Sequence, residues 1–303
     1  MIHMKNPLRT LALLSGAALL ASSNLSAETV STNPVGYVTV DLPAGASLVS
    51  VPLISRVQYV GAAGDVVGSV VSLSGLPDPV TIPSYIHVLS GTAAGTTVSV
   101  LSSNSSSVTL EAEVVGLALG DSLRIVEHFT LADIAASSSA GIADGSVVTI
   151  YNSDASSDSY TVYSNTWYDA DFSVADDVII FAGEGFVVNL QAATSLTFTG
   201  AVNTEPVNVE VTSGTFSLIG SVNPTAPVGG ASVGAALGSA LADGSTLTVY
   251  SEDGLLTVEG TYTCYSGVWY DSSFTPTDIS IASPSVVVVN PQSTVQVSMP
   301  SAY

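Results

Sequence analysis

Apolar and polar residues alternate along much of this chain, in short segments separated by Gly, Pro, Asn and Asp. Alternation with a period of two places successive side chains on opposite faces of a β-strand. Strands with one buried face are therefore predicted at residues 36–42, 47–51, 97–101, 107–112 and 207–211. Residues 178–188 and 286–289 are almost continuously apolar, as in strands that are buried on both faces.

Turn residues recur at intervals of about ten residues, which is typical of β-sandwiches and small barrels. Two segments have helical patterns. Thr130 and Asp133 form a capping-box pattern that opens one or two turns of helix, and residues 232–241 place apolar side chains on one helical face. The chain is predicted to be all-β, built from antiparallel β-sandwich or barrel-like modules with very little helix.

An internal repeat divides the chain. Residues 142–154 return at residues 241–253 with seven of thirteen positions identical, and each copy is followed by an aromatic motif that holds one of the two Trp residues. Such a repeat indicates two related modules. We place the first module at residues 36–205 and the second at residues 206–303. Residues 64–126 have no counterpart in the second copy and are predicted to form a small barrel-like insertion.

The first 27 residues have the three parts of a secretory signal peptide. Lys5 and Arg9 precede an apolar run at residues 11–20, and Leu25-Ser26-Ala27 forms an acceptable cleavage site before Glu28. The apolar run is too short to span a bilayer as a helix. The sequence therefore predicts export to the periplasm, the cell surface or the medium, with residues 28–35 as a linker.

The charge balance excludes two classes of partner. Beyond residue 27 the chain carries two cations, Arg56 and Arg124, against 25 acidic residues, which leaves a net charge of −23. Nucleic-acid binding needs clustered Lys and Arg, so it is excluded. An anionic membrane surface would repel the chain for the same reason. At 47% hydrophobic residues, the chain is nevertheless too apolar to be a disordered acidic tail.

Cys264 is the only cysteine, so the chain cannot form an internal disulfide. The repeat aligns Cys264 with Val162 of the first module. A position that takes Val in one copy and Cys in the other behaves as a small buried hydrophobic residue. Cys264 is therefore predicted to lie in the core, with an intermolecular bridge or a reactive thiol as the alternative.

Four motifs together resemble an uncharacterised family of exported, β-rich bacterial proteins. They are residues 35–53 (VGYVTVDLPAGASLVSVPL), residues 90–95, residues 120–125 and residues 182–189, which lie on either side of the first Trp motif. In the second copy, Gly183-Glu184-Gly185 is replaced by residues 283–285, so the chain departs from the pattern there. The resemblance implies export and a β fold, and it implies no activity and no site residues.

No catalytic residue is predicted. Residues 230–234 match the Gly-x-Ser-x-Gly nucleophile motif, but the His of that triad follows the Ser in the chain, and the last histidine here is His128. His87, His128 and Cys264 are too widely separated to form a zinc signature. We therefore expect the protein not to be an enzyme.

Calcium is the candidate metal for this sequence, because the first module has a cluster of acidic residues: Asp169, Asp171, Asp176 and Asp177. Oxygen-rich loops of exported proteins often bind calcium. The EF-hand pattern does not fit these residues, and the second module keeps only Asp271 and Asp278. Solvated turn carboxylates are therefore the favoured interpretation, and no cofactor is predicted apart from a possible structural calcium ion.

A repeated tripeptide supplies the candidate binding residues: Trp167, Tyr168 and Asp169 in the first module, and Trp269, Tyr270 and Asp271 in the second. Flat aromatic faces stack on sugar rings, and neighbouring carboxylates accept hydrogen bonds from sugar hydroxyls. The alternative is that each Trp anchors a Val-rich core. Because neighbouring strand residues point to opposite faces, one aromatic residue of each pair is expected to be buried and the other exposed.

These observations favour a non-enzymatic exported structural or interaction protein of the cell surface or extracellular matrix. Its expected partner is a cell-envelope protein or a polysaccharide. The alternative is a carbohydrate-binding module that uses the Trp-Tyr-Asp tripeptides. An outer-membrane barrel is disfavoured, because the chain has few aromatic residues for the membrane girdles and has prolines within candidate strands.

Overall fold

The computed structural model describes residues 34–77, 79–222, 224, 233–250, 256–279 and 286–301. The predicted signal peptide and most of the linker lie outside the described residues, as do residues 230–232 of the Gly-x-Ser-x-Gly match and residues 283–285. The described part of the chain forms antiparallel sheets with two short helices and no closed barrel. The predicted all-β class is confirmed.

The first module and its insertion contain one helix and the strands β1 (Val35–Leu42), β2 (Gly45–Ser50), β3 (Val57–Ala62), β4 (Val66–Val67), β5 (Val70–Ser72), β6 (Ser84–Val88), β7 (Thr97–Ser103), β8 (Ser107–Leu110), β9 (Ser122–Glu127), β10 (Phe129–Thr130), α1 (Leu131–Ser137), β11 (Val147–Tyr151), β12 (Ser157–Tyr163), β13 (Thr166–Tyr168), β14 (Ile179–Ile180), β15 (Gly185–Leu190) and β16 (Thr194–Ala201). The second module contains β17 (Val207–Val211), β18 (Ser217–Gly220), α2 (Val233–Ala240), β19 (Thr246–Tyr250), β20 (Val258–Tyr265), β21 (Val268–Tyr270), β22 (Pro276–Thr277), β23 (Val286–Asn290) and β24 (Val295–Met299).

The two modules share one strand order. The main sheet of the first module runs β13-β12-β11-β15-β2, and that of the second runs β22-β21-β20-β19-β23-β18. Each module adds a two-stranded sheet, β1-β16 in the first and β17-β24 in the second. The additional strand β22 corresponds to a single bridge between Tyr168 and Val174 in the first module. The likeness that the sequence repeat indicates therefore extends to the whole sheet.

The chain between β2 and α1 forms a separate seven-stranded sheet, ordered β3-β9-β6-β7-β8-β5-β4. Its inward side chains, including Ile86, Val108 and Leu123, form a core of their own. Its two edge strands, β3 and β4, are separated by only residues 63–65, so the sheet curls back on itself as the predicted barrel-like unit would, without forming a closed barrel. In the second module, only residues 221–232 separate β18 from α2.

Period-two alternation explains which face of each main sheet is buried. In the first module, Val148, Val162 and Trp167 point inward and are fully buried, while their neighbours Val147 and Thr161 lie on the opposite face. Burying one face of each sheet removes apolar surface from water, at about 25 cal/mol for each Å². The opposite face of each main sheet is called the outer face below.

The helices and the cysteine lie where the sequence predicted. α1 begins at the capping box of Thr130 and Asp133, and α2 covers most of the predicted residues 232–241. Cys264 is fully buried in the core of the second module, and its thiol donates to the Gly238 carbonyl at 3.5 Å. Its predicted core position is confirmed. Neither described helix is long and apolar enough to cross a membrane.

Glycines allow the two modules to approach closely. Gly220 of β18 lies against Ser50 of β2, and a methyl group at Gly220 would overlap the Ser50 side chain. A methyl group at Gly185 of β15 would likewise overlap Val286. An isolated antiparallel bridge joins Glu184, the residue before β15, to Ile219 of β18. We call this contact the module junction.

Replacing Gly220 with alanine should lower the free energy of unfolding by about 1–3 kcal/mol, because the added methyl group overpacks the junction. Urea denaturation measures the change. Gly36→Ala is the matched control, since a Cβ there meets no atom within 4 Å. Adding Ser50→Gly to Gly220→Ala should recover part of the loss. Equal stabilities of Gly220→Ala and Gly36→Ala would contradict the close contact.

Candidate functional site

The two Trp residues are interior anchors. Trp167 is fully buried and Trp269 is 3% exposed. The Trp269 indole N–H donates to the Gly234 carbonyl of α2 at 2.7 Å, which joins that helix to β21. Neither ring can stack on a ligand, so the Trp residues of the predicted glycan platform are corrected to core residues. The physical reason is packing, because each Trp ring lies among the apolar side chains of its module core, and alternation then turns the neighbouring Tyr outward.

The Asp of each tripeptide organises the turn that follows the strand. In the first module, Asp169 Oδ1 accepts the N–H groups of Asp171 and Ser173 at 2.9 and 2.8 Å. In the second, Asp271 Oδ1 accepts the N–H groups of Ser273 and Thr275 at 2.8 and 2.9 Å. An Asp that bonds the backbone two residues further on forms an Asx turn. The two carboxylates therefore hold equivalent loops in one conformation.

The other candidate calcium ligands have separate surroundings. Asp176 Oδ1 accepts the Trp167 backbone N–H at 2.8 Å, while Asp171 and Asp177 are exposed. Two of the four candidates, Asp169 and Asp176, thus already accept backbone N–H groups. Among the described residues, no group of three or more His, Cys, Asp or Glu side chains is placed to hold a metal ion.

An exposed group of three aromatic rings lies on the outer face of the first module. The rings of Tyr163 and Phe172 are stacked with centroids 6.2 Å apart, and Tyr168 lies 6.3 Å from each. Phe172 is 72% exposed and Tyr163 is 40% exposed. We call Tyr163, Tyr168 and Phe172 the first aromatic triad.

The second module repeats this group with Tyr265, Tyr270 and Phe274. Tyr265 and Phe274 are stacked at 5.7 Å, and Tyr270 lies 6.2 Å from Tyr265 and 5.6 Å from Phe274. Phe274 is 69% exposed. We call these three residues the second aromatic triad. Each module thus presents the same three ring types in the same arrangement.

The backbone places the Phe of each triad through a conformation that side chains rarely adopt. Phe172 has φ +60° and Phe274 has φ +59°, both in the left-handed region. That conformation costs a residue with a Cβ about 1–2 kcal/mol. The Asx turns of Asp169 and Asp271 hold it, and it brings each Phe ring back over the two Tyr rings. Strained residues of this kind cluster at functional sites.

Four residues of the two triads were missing from the binding residues predicted from the sequence: Tyr163, Phe172, Tyr265 and Phe274. Their signal was the equal spacing of Tyr, Tyr and Phe in both copies of the aromatic motif. Tyr168 and Tyr270 were predicted and belong to the triads. A strand pattern cannot show that the turn returns the Phe to the Tyr rings, because the return depends on a positive φ.

A buried polar cluster joins the inserted sheet to the chain between the modules. Arg124, 2% exposed, donates from Nη2 to His87 Nδ1 at 2.9 Å and to Asn203 Oδ1 at 2.5 Å. His87 Nε2 lies 2.8 Å from the Pro206 carbonyl. A neutral His87 with its proton on Nε2 satisfies both contacts. Burial, and then the charge of Arg124, lowers the pKa of His87 to about 4.

Two further titratable groups lie close to the first module. His128 packs between the rings of Tyr85 and Phe181, and burial lowers its pKa to about 4. Glu184, at the module junction, has its pKa raised to about 7 by burial, against a smaller lowering by a backbone hydrogen bond from Phe181. His87, His128 and Glu184 are thus all mostly neutral near pH 6. None of them belongs to an aromatic triad.

Comparisons of the chain with protein-family models, with curated proteins and with solved structures find no match. The identification of the aromatic triads as a candidate site therefore depends on the geometry of this chain alone.

Proposed function

We propose that this chain is a non-enzymatic exported interaction protein of the cell surface or extracellular matrix, and that each module binds carbohydrate through its aromatic triad. The observation that carries the proposal is the duplication of the triads. Both modules expose Tyr, Tyr and Phe in one arrangement, and both hold the Phe at an unfavourable φ. A purely structural cluster would gain more stability by burying the Phe ring.

The chemistry of the triads fits sugars. Each triad offers apolar ring surface, two phenol groups and a carboxylate beside the rings, and the sugar ring has matching C–H faces and hydroxyl groups. Grouped exposed aromatic rings are also the type of surface patch that marks an interaction site. The net charge of −23 disfavours acidic polymers as partners, because like charges repel. An uncharged polysaccharide is thus the ligand class that the surface supports best.

Replacing Phe172 and Phe274 together with glycine should weaken binding to an uncharged polysaccharide by about tenfold or more, since one anchor of each site is lost. Stability should change by no more than about 1 kcal/mol, because glycine adopts the left-handed conformation without strain, which offsets its added freedom in the unfolded chain. Affinity electrophoresis in gels that contain soluble neutral glucans measures the binding, and urea denaturation measures the stability.

The matched control is Leu119→Ala, which removes a 74% exposed apolar side chain from the turn that precedes β9. The control should bind as the parent protein does. If the parent protein binds no neutral glycan on an array, the proposed function is wrong. Glycan binding that survives the Phe172→Gly and Phe274→Gly changes would show that the binding site lies elsewhere.

A further inference from the structure

The aromatic triads share their outer faces with a groove at the module junction. Eight residues line this groove, which has a volume of about 180 Å³: Leu48, Tyr151, Val187, Phe216, Leu218, Tyr250, Leu256 and Val288. Three come from the first module and five from the second. The repeat pairs Tyr151 with Tyr250, so each module contributes the same aromatic residue to the groove.

Strand register connects the first triad to the groove. Tyr168 of β13 pairs with Thr161 of β12, which pairs with Val147 of β11. Two residues further along β11, Thr149 pairs with Val187, and Val187 pairs with Leu48, which lines the groove. Residues that pair across a sheet point to the same face, as do residues two apart in a strand. The first triad and one wall of the groove therefore lie on one outer face.

The second module repeats this path. Tyr270 of β21 pairs with Thr263, and Thr263 pairs with Thr246. Two residues further along β19, Thr248 pairs with Val288, and Val288 pairs with Leu218 in the groove. Because both outer faces line the same groove, they meet there. Tyr151 and Tyr250 of the groove lie two strands, or about 10 Å, across the sheet from Tyr168 and Tyr270, and four residues, or about 13 Å, further along the strands.

The outer-face positions that pair between each triad and the groove carry no charged side chain. The outer-face positions paired along β11 and β12 are Val147 with Thr161, Thr149 with Ser159, and Tyr151 with Ser157. Those paired along β19 and β20 are Thr246 with Thr263, Thr248 with Thr261, and Tyr250 with Val258. None of these paired positions carries Asp, Glu, Lys, Arg or His, although the chain has a net charge of −23. Hydroxyl side chains between aromatic groups suit a polymer that offers hydroxyl groups and no charge.

We propose that the two triads and the groove form one binding surface, and that a single extended, uncharged polysaccharide chain occupies it across both modules. This inference rests on the proposed function. It adds that the ligand is long enough to span both modules and that it carries no charge. Tyr151 and Tyr250 supply the central contact, and the triads supply the two ends. Contacts made by one chain at several places reinforce each other, because the first contact raises the local concentration for the next.

The test is calorimetric titration of the full mature chain with neutral oligosaccharides of increasing length, from disaccharide to decasaccharide, taken from cellulose and from a β-1,3-glucan. Short oligosaccharides should bind two per protein. The longest should bind one per protein and at least about tenfold more tightly, as expected when separate contacts are joined in one ligand. Replacing Tyr151 and Tyr250 with alanine should lower the affinity for the longest oligosaccharides more than the affinity for the short ones, because the central contact of the long chain is lost.

Tyr37→Ala is the matched control, since Tyr37 is 74% exposed on β1, outside the path between the triads. It should keep the gain with length. Two long chains per protein, or equal affinity for short and long chains, would overturn this inference and leave the proposed function intact. If the acidic polymer alginate binds as tightly as a neutral glucan, the inference that the ligand is uncharged is wrong. If no glycan binds and the triads instead capture an envelope protein, both proposals fail together.

Discussion

Replacing Trp167 or Trp269 with alanine should lower the free energy of unfolding by about 3–5 kcal/mol at each site, as large truncations of buried aromatic residues do. Trp167 packs in the core of the first module with Val148, Val162 and Phe186. Trp269 has the equivalent place in the second. Each change would leave a cavity that the surrounding strands fill only in part, so the cost includes lost contacts as well as exposed apolar surface.

Phenylalanine at the same sites separates packing from hydrogen bonding. The Trp269 indole N–H donates to the Gly234 carbonyl, whereas the Trp167 indole N–H has no hydrogen-bond partner within the described part of the chain. Trp269→Phe should therefore lower the free energy of unfolding by about 1–3 kcal/mol beyond the effect of the smaller ring, because the buried Gly234 carbonyl loses its hydrogen-bond donor. Trp167→Phe should be milder. Urea denaturation followed by circular dichroism measures both, and a loss below about 1 kcal/mol for either alanine variant would place that Trp at the surface.

Acidification from pH 6.5 to pH 4 should destabilise the folded protein through His87 and His128. Both have a folded pKa of about 4, below the value of 6.5 that applies in the unfolded chain. The unfolded state therefore binds more protons in this window, and stability falls as the pH falls. A shift of this size corresponds to about 3 kcal/mol for each His.

Glu184 opposes the two histidines. Its folded pKa of about 7 lies above the value of 4.5 that applies in the unfolded chain, so the folded state binds more protons between pH 4.5 and 7 and gains stability as the pH falls. The net loss in the free energy of unfolding between pH 6.5 and 4 is therefore close to the loss that one His alone would cause. Replacing His128 with phenylalanine should remove most of this net loss between pH 6.5 and 4, because the ring keeps its packing and no longer titrates. Urea midpoints measured across that window give the comparison, and parallel curves for the variant and the parent protein would show that His128 is not neutral when buried.

The sequence predicted the features that local pattern controls. The all-β class, the capping box at Thr130 and the buried position of Cys264 each follow from periodicity, from one motif or from the repeat, and the structure bears them out. Alternation along β13 also required that Trp167 and Tyr168 point to opposite faces, although it could not say which of them is buried. The structure answers that question, because Trp167 packs in the core with Val148, Val162 and Phe186.

Features that depend on distant chain segments were not predicted. Arg124 bonds His87 and Asn203, which lie in different parts of the chain, and no local pattern brings them together. The aromatic triads were missed for another reason. Phe172 reaches Tyr163 only because an Asp-centred turn holds a left-handed backbone, and side-chain periodicity contains no information about that angle.

The insertion between β2 and α1 also governs the order in which the protein is assembled. Within the described part of the chain, β2 pairs with β15 and β1 pairs with β16, so residues 45–50 stay unpaired until residue 190 has been made and residues 35–42 until residue 201. The strands of the inserted sheet find all their partners within residues 57–127. Contacts between distant segments form slowly, because a long loop must first close, and unpaired strands that wait are prone to aggregate. A rapidly folding insertion shortens the effective loop, and it thereby brings the first strands synthesised within reach of partners that emerge much later.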